Sequence, residues 1–299
     1  MTWTLDRTCW RGLRIDHPVD WEIALASDFG QPGHCTFSDR HFHRLDVQWR
    51  NIQREPNLDL MLEKFRHGKT GEKRDISRLG LRAPWRGVLR TTPEGNVTHA
   101  ARNFPSERLV VEVTIVWPSG RNDDLEDAIL QSVMIDSGEE RLWQAMGLSL
   151  SVPARYDLRE NTSKVGRVQW EFATSDKKEP TFSVERLAMP GYWLKGPLRD
   201  WLADELPARS RVLRQDMMPL PTHRAESVVS TSRITPLASL RGIHTLRLDL
   251  AWVCPIEDRV YHLCVKQASR LEELALPEGL VVRCCRPVHN PQTVSQGRP

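Results

Sequence analysis

The chain has 299 residues, about twice the length of a common single domain, so two domains are the first expectation. Hydrophobic residues make up 39% and charged residues 27% of the sequence, a composition that excludes a disordered or membrane-embedded protein. The 42 basic and 39 acidic residues are interspersed and leave a formal net charge of +3, so we expect no binding to nucleic acid.

The sequence shows neither an apolar signal segment nor a run of about 18 apolar residues. We therefore expect a cytoplasmic protein without membrane insertion. Six cysteines are too sparse for a disulfide framework in a chain of this length, and their thiols are expected to be free.

The first strand signal is GLRIDHPVDWE, in which an alternating apolar run from Gly12 ends at Pro18 and is followed by Trp21. The pattern recurs as GLSLSVPARYD from Gly147, with Tyr156 in the aromatic position. Proline ends a strand because it cannot donate to the ladder. The aromatic ring that follows is expected to cap the core.

The first half continues with strands predicted at residues 35–37 and 45–49. A helix is predicted after Asn57, which serves as N-cap before apolar residues that repeat with helical period. A hairpin at residues 97–103 and 108–116 then precedes a closing helix capped by Asp123 or Asp124.

The second half repeats this order, with strands predicted at residues 168–172 and 182–187 and a helix that begins at Pro197. A loose loop is expected at residues 207–214. The hairpin at residues 243–253 and 259–266 and a closing helix capped by Ser269 complete the half. The sequence therefore predicts two tandem copies of one domain, residues 1–138 and 139–288, and a flexible tail at residues 289–299.

This order of elements resembles the Mog1/PsbP-like α/β/α sandwich, including its DUF1795-like branch. The segments that carry the resemblance are GLRIDHPVDWE, GLSLSVPARYD and DDLEDAILQSVMI. The resemblance implies an α+β fold in which each antiparallel sheet is covered by helices. It also implies a non-enzymatic role, such as binding a small GTPase, assisting a photosystem, or acting as a chaperone for an apolar segment of a secreted effector.

Two groups of histidines and cysteines are candidate metal ligands. In the first group, His41 and His43 would point to the same face if both belong to a strand hairpin, and a turn could bring His34 or Cys35 near them. If this first group binds a metal, the expected metal is zinc, although the spacing of the residues matches no established zinc pattern. If it does not, no cofactor is expected. A second, looser group lies on the last hairpin and the tail: Cys254, His262, Cys264, Cys284, Cys285 and His289.

The sequence lacks common catalytic motifs: it has no GxSxG turn and no phosphate-binding glycine loop. We therefore expect a protein that is not an enzyme.

Eleven tryptophans are the most unusual feature of the composition. Four of them fit strand positions and are predicted to lie in the core: Trp21, Trp49, Trp170 and Trp252. Tyr192, Trp193 and Trp201 cluster in MPGYWLKGPLRDWLADEL, where they either pack a helix on the sheet or form an exposed partner-binding patch. The leading hypothesis is an adaptor or chaperone that binds a protein partner through this patch. The alternative is a metal-binding protein or metal-dependent enzyme that uses the His34 to His43 group.

Overall fold

The computed structural model describes residues 3–28, 32–66, 76–233, 244–269 and 274–285. The described residues up to Ser137, together with Leu142–Ala145, form one compact unit, which we call unit 1. Gly138–Arg141 and the described residues from Met146 onward form unit 2.

Unit 1 is built mostly of strands. Its elements are β1 (Leu5–Trp10), β2 (Leu13–Pro18), β3 (Glu22–Ala26), β4 (Gly33–Ser38), β5 (His43–Asn51), α1 (Leu58–Glu63), β6 (Ile76–Leu79), β7 (Arg86–Thr92), β8 (Gly95–Phe104), β9 (Leu109–Trp117), α2 (Asp123–Ser132), β10 (Met134–Ile135) and the end of β11 (Glu140–Ala145).

Seven of these strands form an antiparallel sheet in the order β3-β4-β5-β9-β8-β7-β6. The predicted alternation holds in β5, where Leu45, Val47 and Trp49 are buried and the residues between them are more exposed. Helix α1 begins after Asn57, whose side chain accepts a hydrogen bond from the Leu60 amide as predicted. The cap of α2 is Asn122 and not Asp123 or Asp124.

Unit 2 has the following elements: β12 (Leu148–Pro153), β13 (Asp157–Lys164), β14 (Arg167–Ala173), β15 (Thr181–Ala188), α3 (Pro190–Trp193), α4 (Leu198–Asp204), β16 (Arg211–Pro219), β17 (Arg224–Arg233), β18 (His244–Cys254), β19 (Arg259–Ser269) and β20 (Val281–Val282).

The large sheet of unit 2 has the order β13-β14-β15-β19-β18-β17-β16, which matches the chain order of the sheet in unit 1. In each unit a short helix packs on the second half of the sheet. Leu62 of α1 contacts Val88 and Ala101, and Leu202 of α4 contacts Val228 and Ala251.

The two GL segments also have the same local geometry. Gly12 and Gly147 both adopt left-handed backbone, with φ of 81° and 78°, a conformation that glycine tolerates without steric cost. The amides of Trp21 and Tyr156 each donate to the carbonyl of the strand-ending proline, at 3.0 and 2.9 Å. Both rings are buried, so the prediction that they cap the core is confirmed. That the halves are copies of one domain stays a prediction.

The predicted fold class is wrong, because helices do not cover the sheets. Strand residues make up 55% of the structure and helical residues 11%, which makes this a β-rich fold and not an α+β sandwich. The helix on each large sheet has only six residues in α1 and seven in α4. None of the helices in the described ranges has the length and apolar character needed to cross a lipid bilayer.

Two local predictions in unit 2 also fail. The expected loop at residues 207–214 contains the start of β16, an edge strand that is almost wholly exposed and therefore lacks an apolar alternation. The closing helix predicted after Ser269 is not formed at residues 274–285, where β20 pairs with β12 instead. Pro277 and Gly279 interrupt that segment, and Gly279 adopts a left-handed φ of 82°.

Candidate functional site

The predicted patch lines one groove on unit 2, which has a volume of about 290 Å³. We call it the aromatic groove. All three residues of the patch, Tyr192, Trp193 and Trp201, contribute to its lining. Its other large apolar residues are Val165, Leu187 and Met189.

One wall of the groove is the turn between β13 and β14. Val165 stands at the tip of this hairpin with its side chain fully exposed. Gly166 follows with a φ of 77°, which allows the tight turn. The amide of Ala188 donates to the carbonyl of Gly166 at 2.7 Å. This bond fixes the tip of the hairpin against the end of β15.

The opposite wall is α3, which begins directly after β15. Met189 has φ 52° and ψ 54°, a left-handed conformation that costs a non-glycine residue free energy and is often found at functional sites. Pro190 is buried at the first helical position, and the Trp193 indole N–H donates to the carbonyl of Ala188 at 2.8 Å. These contacts hold Met189 and Tyr192 outward, where they are 49% and 79% exposed.

Trp201 of α4 forms the floor of the groove. Its ring lies 5.7 Å from that of Trp193 and meets the imidazole of His262 edge-on at 5.4 Å. Leu202, the next residue, is buried in the core, and this anchors the helix. Trp201 is therefore half-buried, like Trp193, and Tyr192 is the exposed member of the predicted patch.

A buried charged network lies beneath the floor. The His262 Nε2 is 2.8 Å from an oxygen of Asp249, and Nδ1 is 3.5 Å from an oxygen of Glu185. Arg247 contacts both oxygens of Asp249, at 2.6 and 2.8 Å, and Arg167 pairs with Glu185. Since both ring nitrogens face carboxylates, the imidazole has no free nitrogen with which to take a proton from a substrate.

These contacts shift the titration of the network. Burial alone would lower the pKa of His262, but its hydrogen bonds to Asp249 and Glu185 outweigh burial and raise the pKa. Burial alone would raise the pKa of Asp249, but hydrogen bonds from His262 and Arg247 lower it. Both shifts favour the charged form of the group concerned, the imidazolium for His262 and the carboxylate for Asp249.

The first predicted metal group is not brought together. His34 is bonded to Asp46 at 2.6 Å, Cys35 is in the core, and His41 and His43 are exposed. In the described part of the chain, one group of at least three histidine, cysteine or acidic side chains meets the distances of a metal site, and none of these four residues belongs to it.

The second group is divided. All six cysteines are free, as predicted, and Cys254, Cys284 and Cys285 lie together with His223. His262 and Cys264 belong instead to the surroundings of Asp249, and His289 lies outside the described residues. His223 was missed because it comes from a distant turn without a metal-binding spacing.

The chain matches no protein-family model and no curated protein. Among solved structures, it is similar to the immunity protein TplEi of the T6SS from Pseudomonas aeruginosa. The complex of that protein with "L" peptide is 9% identical, with 92% of this chain and 90% of that chain covered and a TM-score of 0.38. The apo structure is 10% identical, with 91% and 90% covered and a TM-score of 0.37. Similarity at this level carries no inference about function.

Proposed function

We propose that this chain is a non-enzymatic binding protein whose aromatic groove takes up an apolar segment of a protein partner. The observation that carries the proposal is the clustering of three exposed apolar side chains, Val165, Met189 and Tyr192, around one groove. Exposed apolar side chains in a contiguous patch rimmed by polar residues mark interaction sites. Tyrosine and tryptophan are also the residues that contribute most to protein interfaces.

The charges of the groove favour an apolar occupant. Two of the three charged residues that line the groove, Arg167 and Glu185, are paired with each other, and Glu185 also faces His262. The third, Glu205, is exposed to solvent. Affinity should come from burial of apolar surface. Binding should therefore depend little on salt, because screening weakens charge attraction and leaves apolar contacts intact.

The same network argues against catalysis in the groove. His262, the histidine beneath its floor, has both ring nitrogens directed at carboxylates. The cysteine nearest this network, Cys264, is buried, and burial raises its pKa to about 12. A thiol in this state is a poor nucleophile at neutral pH.

The test is selection of random peptides displayed on phage against the full chain and against a Val165→Asp/Tyr192→Ala variant. Both substitutions lie on exposed side chains, so the fold should be preserved. Peptides with aromatic or aliphatic anchors should be enriched on the native chain. Their affinity should fall about tenfold or more in the variant, since truncating an interface tyrosine commonly costs 1–2 kcal/mol.

Leu60→Asp is the matched control, because Leu60 is 70% exposed and lies on α1 of unit 1. It should bind the selected peptides as tightly as the native chain. Equal binding by the groove variant, or failure to enrich any apolar peptide, would show that the groove is not a docking site.

A further inference from the structure

Unit 2 holds a cluster of three thiols and one imidazole apart from the aromatic groove. One donor atom from each of His223, Cys254, Cys284 and Cys285 lies within 4.8 Å of all the others. Cys254 is fully buried, and the other two thiols are partly buried. The four side chains thus form a compact and largely enclosed set of soft ligands.

The four ligands come from three separate parts of the fold. Cys254 is the last residue of β18. His223 lies in the turn between β16 and β17, where its carbonyl accepts a hydrogen bond from the amide of Leu220 at 2.8 Å. Cys284 and Cys285 follow β20, and the amide of Arg283 fixes this segment by donating to the carbonyl of Ser149 at 2.8 Å.

The adjacent cysteines need an unusual backbone to serve one site. In extended chain, neighbouring side chains point in opposite directions. Cys285 has a φ of 53°, and its sulfur lies 4.0 Å from that of Cys284. A non-glycine residue in this conformation costs about 1–3 kcal/mol, which must be offset by the surroundings. A metal bound by both sulfurs would supply that offset.

The distances are close to those of a tetrahedral zinc site. Cys285 Sγ lies 2.9 Å from Nε2 of His223 and 3.1 Å from Sγ of Cys254. Tetrahedral zinc with Zn–S bonds of about 2.3 Å places sulfur ligands about 3.8 Å apart, so these two pairs need to move apart by less than about 1 Å. No two of the four donor atoms lie more than 4.8 Å apart. The Trp252 indole N–H also donates to Sγ of Cys284 at 3.3 Å, a contact of the kind that orients and stabilises a metal-bound thiolate.

We propose that His223, Cys254, Cys284 and Cys285 bind one zinc ion in a closed, structural Cys3His site. On binding, the three thiols release their protons to solvent and form Zn–S bonds, and the imidazole binds in its neutral form, so no oxidant or reductant is needed. Four protein ligands leave no open position for a substrate. The ion would fasten the segment after β20 to the end of β18 and to the turn at His223.

Metal content of the full chain, purified with a reducing agent and without chelator, tests the proposal. Elemental analysis should give one zinc ion per chain. Cys285→Ser and His223→Ala should each lose most of it, while Cys9→Ser and His41→Ala, which change the same residue types in unit 1, should retain it. This site shares no residue with the aromatic groove, so its failure would leave the proposed function standing.

Cobalt substitution gives a readout that does not depend on how well a variant folds. Cobalt added to the metal-free native chain should produce thiolate-to-cobalt charge transfer and the intense visible bands of tetrahedral coordination. The proposal is overturned by a chain without zinc, by zinc that survives both ligand substitutions, by octahedral cobalt spectra, or by a Cys254 to Cys285 disulfide in the reduced preparation.

Discussion

His262 is a buried histidine whose ring is held by two carboxylates. Its two ring nitrogens face Asp249 and Glu185, and its ring supports Trp201 in the floor of the groove. The raised pKa of His262 means that its contribution to stability is complete below about 6.5, the ordinary value, and is lost as pH rises through the higher folded-state value. The lowered pKa of Asp249 has the opposite effect: its contribution to stability is lost as pH falls through the lowered folded-state value.

Replacement of His262 should therefore change the pH dependence of stability. We expect His262→Gln to lower the free energy of unfolding by about 3 kcal/mol at about pH 6, because it removes one of the charged partners of the buried Asp249 and Glu185. The loss should be smaller at about pH 9 than at about pH 6, because a rise in pH favours the neutral imidazole, which no longer forms an ion pair with the carboxylates. Urea unfolding followed by tryptophan fluorescence measures this. Exposed His41→Gln is the control, and an equal loss at both pH values would contradict the ion-pair interpretation.

The sequence predicted ten of the strands that the described residues form and missed the other ten, among them β1, β3, β6, β7, β13 and β17. Strands with one buried face, such as β5 and β14, show the expected alternation of apolar residues. The edge strand β16 buries almost nothing, so no apolar pattern reveals it. Helix α1 was found from its Asn57 cap, but the short α3 depends on the tertiary contacts of Pro190 and Trp193, which local propensity does not encode.

The groove and the thiol cluster were only partly predictable for the same reason. Tyr192 and Trp193 adjoin in sequence and stood out by composition. Val165 could be recognised only after the β13 to β14 hairpin brought it to the groove. Likewise, the sequence shows Cys284 and Cys285 as neighbours, but His223 comes close to them only because the fold brings distant segments together.

Helix α4 should depend on its single fully buried side chain. Leu202 is 0% exposed and packs on Val228 and Ala251. We expect Leu202→Ala to lower the free energy of unfolding by about 2–5 kcal/mol, since it leaves a cavity in the core. Leu60→Ala, on the exposed face of α1, should cost less than about 0.5 kcal/mol. Similar losses in the two variants, measured by urea unfolding, would mean that α4 is not held by this contact.

At the scale of the whole molecule, two units contain large sheets with the same strand order. In unit 2, the third strand of the large sheet, β15, is followed by α3 and then by α4. In unit 1, the third strand, β5, is followed directly by α1 in the described residues. The aromatic groove thus depends on α3, which has no counterpart between β5 and α1 of unit 1. The large sheet forms a framework in each unit, and the partner site that we propose lies in unit 2.

Hydrogen–deuterium exchange of the full chain, with and without a peptide selected for the groove, tests the central claim most directly. Bound peptide should slow exchange of backbone amides at residues 165–167 and 189–193 and leave unit 1 unchanged. The rival site is β16, whose exposed edge could pair with an added strand. Protection confined to residues 211–219, or no change around the groove, would contradict the account.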